Sequence, residues 1–124
     1  MPKFHRLIAL ALLALPSSAD ATDLDTTPNA RPLSADWHYT YPPKAEAAGV
    51  KEGYVLVRVK VSAKGEPLAA FIVKDETPGY GFDETARECA MHQDYIPGHD
   101  RKGRAIASET KVFRMHFEPW KEEK

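Results

Sequence analysis

The 124-residue chain has one cysteine, Cys89, so no internal disulfide can form and stability has to come from packing. It also lacks an excess of positive charge. Its 17 basic residues stand against 18 acidic ones, so no basic surface waits for a phosphate backbone and nucleic acid is not expected as a partner. No Gly-rich phosphate loop is present: Gly79-Tyr80-Gly81 lacks a third glycine and a downstream acid. The longest apolar run, Leu7 to Leu15, would rise about 14 Å as a helix, well short of a hydrocarbon core of about 30 Å.

That run has a different use. Lys3, His5 and Arg6 precede it, Pro16 ends it, and Ala19-Asp20-Ala21 has the small-x-small form of a cleavage site. This is the layout of a secretory signal peptide over residues 1–21, with cleavage expected near Ala21, which makes the expected protein an exported one. A retained short membrane anchor is the rival reading. No cysteine lies near the cleavage site to carry a lipid. Loss of the leader removes Lys3, Arg6 and Asp20, and the remainder is mildly acidic and long enough for one core.

Residues 22–37 are rich in Asp, Thr, Pro and Ala without apolar periodicity, and read as a flexible arm. Trp37, Tyr39 and Tyr41 then mark the point where the chain docks onto a domain spanning 38–119, followed by a charged tail over 120–124. Pro43 to Gly49 predicts a short helix, with proline in the first turn and glycine as a left-handed cap. From Gly53 to Ser62, valines 55, 57, 59 and 61 alternate with Leu56, Arg58, Lys60 and Ser62, the pattern of a half-buried antiparallel strand. A turn around Gly65 leads to a second strand over Leu68–Lys74.

Phe82 to about Gln93 predicts a helix. Asp83 and Glu84 sit at its positive end, and Phe82, Ala86, Cys89, Ala90 and Gln93 share one face. Ser108 to Phe117 predicts a third strand, with Phe113, Met115 and Phe117 opposed to Val112, Arg114 and His116. The expected fold is α+β: a three-stranded antiparallel sheet packed against one main helix, with a short helix before the first strand.

Tyr41-Pro42, the helix ending at Gly49, the valine strand, Gly65, Phe82-Asp83-x-x-Ala86, Tyr95-x-Pro97-Gly98, Lys102-Gly103 and the aromatic strand ending at Phe117 together resemble the TonB C-terminal domain family. The resemblance covers roughly Tyr39 to Glu118. It departs in having Gln93 where the family often carries Trp, and in having no long Pro-rich spacer. The resemblance implies a periplasmic protein-binding module, not an enzyme, without a cofactor or small-molecule substrate. Its partner would be a protein, with outer-membrane TonB-dependent transporters and a second copy of the chain as the candidates. By similarity, the partner segment would add as a strand to the last strand's edge, at Lys111, Val112, Phe113, Arg114, Met115 and His116, with Tyr41 and Pro42 nearby. A short anchored energy transducer to outer-membrane transporters is the alternative function, and a small metal-binding protein or thiol enzyme on the same scaffold is the third.

Each of these sites has a plainer reading. Lys and Arg on an edge strand also serve to prevent pairing, and Tyr41 also serves to staple the arm to the sheet. Cys89 and His92 are three apart on one helix, but Cys89 lies on the apolar stripe with no third group to orient a nucleophile. His92, Asp94, His99 and Asp100 carry metal-binding chemistry without a tight ligand motif, and Pro97-Gly98 divides them.

Overall fold

The computed structural model describes residues 24–119; the leader and the charged tail lie outside the described residues. The elements, in chain order, are β1 (Arg31–Pro32), α1 (Pro43–Ala47), β2 (Gly53–Val61), β3 (Pro67–Asp75), α2 (Phe82–Met91), β4 (Tyr95–Ile96), β5 (Gly98–His99), β6 (Ala105–Ile106), β7 (Ser108–Glu109) and β8 (Phe113–Phe117). The architecture is α+β, with antiparallel strands packed against a helix. No helix among the described residues is long and apolar enough to cross a membrane.

The valine strand β2 is the centre of the main sheet. It pairs antiparallel with β3 on one side, and with β7 and then β8 on the other. Val55, Val57, Val59 and Val61 are all fully buried, as the period of two requires. Each contributes on the order of 1.5–3 kcal/mol of burial. Helix α2 lies across this valine face and buries Phe82, Ala86, Cys89 and Ala90. Met115 and Phe117 of β8 complete the core from the other side of β2.

Helix α1 closes as its sequence predicts. Gly49 has φ +73°, its N–H donates to Glu46 C=O, and Val50 N–H donates to Ala45 C=O, which together satisfy the last carbonyls. Helix α2 stops at Met91, short of Gln93. His92 N–H reaches only three residues back to Cys89 C=O, and the Gln93 side chain caps the same carbonyl at 3.0 Å. The chain then turns so that Tyr95 can pair with Pro32.

Two features differ from the sequence expectation. The last strand is not continuous from 108 to 117: residues 110–112 interrupt it. At this point Thr110 is buried, and its Oγ1 accepts the N–H of Val59 at 3.0 Å, a bond that a backbone carbonyl makes in an unbroken ladder. The segment read as a flexible arm is, from Leu24 on, bound to the domain. Strand β1 pairs with β4, Ala30 is buried and bridged to Thr110, and Thr27 C=O accepts His99 N–H. Backbone pairing, which composition does not encode, holds it.

Candidate functional site

The candidate site is the outer edge of β8, and its chemistry follows from the ladder. In an antiparallel pair the N–H and C=O of one residue point to the same side, and successive residues alternate. Tyr54 faces β3: its N–H donates to Thr77 Oγ1, and its C=O accepts Glu76 N–H. Val59 faces the other way, toward Thr110. Val55 and Val57 therefore bond to their partners Met115 and Phe113, and Gly53 bonds to Phe117. This leaves the backbone groups of Arg114 and His116 pointing away from the sheet. Glu118, next in the alternation, shows the same direction, because its N–H donates to the Tyr39 hydroxyl at 2.8 Å.

The side chains of Arg114 and His116 are occupied. Arg114 Nε donates to Glu76 Oε1 at 2.8 Å, and its guanidinium carbon lies 3.9 Å from the Tyr54 ring centroid. The His116 ring stacks on Tyr54 at 4.6 Å and 8°, with Nε2 3.0 Å from Glu52 Oε1. Hydrogen bonds from Tyr54 and then His116 hold the Glu52 carboxyl below its usual pKa, and the same bond to Glu52 raises the Tyr54 phenol. The charges of Arg114 and His116 are thus engaged within the sheet, and what these two residues present at the outer edge is their backbone.

A groove of about 560 Å³ runs beside that edge. One wall is Phe113 to Phe117; the other is Pro32 to Ala35 with Trp37 and Tyr39. Trp37 meets Phe113 edge-on at 5.7 Å, and Tyr39 meets Phe117 edge-on at 4.8 Å, so the arm stands on the core side of β8.

The structure gathers the sequence-derived residues unevenly. Phe113, Arg114, Met115 and His116 line the groove, whereas Lys111 and Val112 lie in the interruption before β8, outside its lining. Tyr41 and Pro42 are also outside it: the Tyr41 hydroxyl donates to Val50 C=O at 2.6 Å, its ring packs edge-on against Phe82, and Pro42 is buried. Leu33, Trp37 and Tyr39 were not assigned to the site from sequence. The aromatic cluster before Pro42 was the visible signal for the last two.

The remaining candidates are dispersed. Cys89 is buried, and burial pushes its thiol up, with a partly offsetting hydrogen bond from Gln93. His92 Nδ1 is taken by Glu88 C=O at 2.7 Å. Asp100 accepts from the N–H groups of Lys102 and Arg104 and pairs with the Arg104 side chain, which lowers its pKa, and His99 Nδ1 lies 3.4 Å from Asp25. Among the described residues no group of three or more His, Cys, Asp or Glu is placed to hold a metal ion.

The main sheet thus has a central strand, an open-edged last strand and one covering helix. The chain belongs to the TonB C-terminal family: the model of the Gram-negative bacterial TonB protein C-terminal matches residues 38–119. No curated protein matches the chain.

Proposed function

We propose that this protein is an exported, periplasmic binding module that takes a segment of a partner protein as an added strand on β8. Membership of the TonB C-terminal family supports a protein partner of that compartment, with outer-membrane TonB-dependent transporters as the first candidates and a second copy of the chain as the other. The observation that carries the reading is the outward direction of the Arg114 and His116 backbone groups, set by the register with β2. Each hydrogen bond formed there contributes about 0.5–1.5 kcal/mol, so alignment of several is needed for useful affinity.

Proline substitution separates backbone from side chain. Arg114→Pro removes an outward donor and leaves the β2 ladder intact, since proline is tolerated where the N–H faces solvent. Arg114→Ala removes the side chain beyond Cβ and keeps the outward donor. Binding of solubilised outer-membrane transporters to the whole chain is expected to fall about tenfold with Arg114→Pro and about twofold with Arg114→Ala. Equal binding by the two variants, with the fold intact, contradicts strand addition at this edge.

A further inference from the structure

The main sheet has a second edge, on the far side of β2 from β8. Strand β3 pairs with β2 on one side, and among the described residues no strand lies along its other side. Tyr54 faces β3 and successive residues alternate, so Leu56, Arg58 and Lys60 bond to Lys74, Phe71 and Ala69. Ala70 lies between two of these partners, and its N–H and C=O therefore point away from the sheet. The middle of this edge is apolar. Leu68, Phe71 and Val73 are three of the six exposed large hydrophobic side chains among the described residues. Its ends are charged: Lys64, Glu66 and Lys74 are exposed and make no ion pair among the described residues. Two register shifts, which leave Val73 and Leu68 without a partner on β2, bracket the regular run between them. Such bulges discourage pairing with an arbitrary strand, so an occupant has to match them.

We infer that the outer edge of β3 takes a second copy of this chain, β3 against β3 antiparallel, with the two-fold axis at Ala70. Directly opposed side chains share a face, so one residue must lie on the axis, and charge decides which. With Ala69 on the axis, Lys74 would oppose Lys64 of the other copy. With Phe71 there, Glu66 would oppose Glu76. With Ala70 there, Lys74 opposes Glu66, and Lys64 opposes Glu76. Lys74 shares the face of Leu56 and Glu66 that of Ser62, which is the same open face of the sheet. The same register sets Phe71 against Ala69 and Leu68 against Ile72, next to Val73, so the irregular positions of the two copies meet. Outward backbone groups at Ala70 then bond to those of the other Ala70. Pairing here does not depend on what β8 binds. The edge is short, so the dimer is weak, with a Kd on the order of 0.1 mM.

Sedimentation equilibrium of the whole chain from about 10 μM to about 1 mM reads the association. Wild type is expected to pass from mostly monomer to mostly dimer. Lys74→Glu and Glu66→Lys each turn two attractive pairs into repulsive ones, and each is expected to weaken the dimer about tenfold. Both positions are exposed, so the fold is kept. Mixed in equal amounts, the two variants meet with opposite charges at both ends, and association is expected to return to within about twofold of wild type. Ala70→Pro removes the donor on the axis at a position where an edge strand tolerates proline, and is expected to abolish the dimer. Arg114→Pro is expected to leave it unchanged.

No dimer at about 1 mM, or a mixture that associates no more tightly than its two components, would overturn the pairing. A dimer kept in Ala70→Pro and lost in Arg114→Pro would place the contact on β8 and overturn it as well, with strand addition at β8 left standing.

Discussion

Replacing Thr110 with Val keeps the shape of the side chain and removes one acceptor. Thr110 is 3% exposed, and its Oγ1 takes the N–H of Val59, itself fully buried. In Thr110→Val that N–H has no replacement partner, and an orphaned buried amide costs about 1–3 kcal/mol. The valine methyl has no hydroxyl to desolvate, which favours the lower half of that range, about 1–2 kcal/mol. For a domain of roughly 100 residues this lowers Tm by about 4–8 °C per kcal/mol. Thr110→Ser keeps the acceptor and deletes a methyl, so the Val59 amide stays protected from hydrogen exchange even if global stability drops by about 1 kcal/mol. Urea unfolding with native-state exchange at Val59 reads both quantities. Thr110→Val within about 0.3 kcal/mol of wild type, with the Val59 amide still protected, would refute the claim that this hydroxyl replaces a ladder bond at the interruption between β7 and β8.

Two further predictions concern the arm and the thiol. Hydrogen bonds from the Thr27 backbone and side chain, then from Arg31, hold the Asp25 carboxyl at about 2, below its ordinary 3.8. A lowered folded pKa means the attachment is in force above pH 3.8 and is lost as pH falls toward 2. The Thr27 amide shift should therefore titrate with a midpoint near 2 and not titrate in Asp25→Asn; a midpoint near 3.8 would show Asp25 unattached in solution. Burial raises the Cys89 thiol above its ordinary 9.0, so alkylation at pH 8 should run at least about a hundredfold slower in the native chain than in urea. Comparable rates would place Cys89 at the surface.

The parts of the fold that rest on periodicity were legible in the sequence. Val55 to Val61 showed both the strand and its buried face, and the spacing of Phe82, Ala86, Cys89 and Ala90 showed the helix that covers it. The interruption at Thr110 was not legible: the pairing with β2 shifts by one residue across it, so the inward positions pass from Ser108 and Thr110 to Phe113, Met115 and Phe117, and the polar residues before the break carry no apolar alternation that would reveal the change. Nor was the docking of residues 24–37, which depends on main-chain pairs with residues far along the chain and on the space left by Gly98. The two-residue strands β4, β5 and β6 are too short to carry a period.

The site was half legible for a related reason. Alternation identified Arg114 and His116 as members of the last strand, and a central β2 implied its free edge. Their side chains were read as charge available to a partner. In the folded chain Glu76 and Glu52, distant in sequence, engage them across the sheet. Tyr41 was placed near a partner by resemblance, whereas its hydroxyl is turned inward to Val50; Tyr39, two residues earlier, is the one that reaches the edge.

Amide hydrogen exchange along β8, free and with a bound partner, tests the central claim most directly. The account predicts that Met115 and Phe117 amides are protected in the free protein while Arg114 and His116 exchange rapidly, and that a partner protects Arg114 and His116 together. Protection of those two amides in the free monomer, or their continued rapid exchange in a saturated complex, would contradict strand addition at β8.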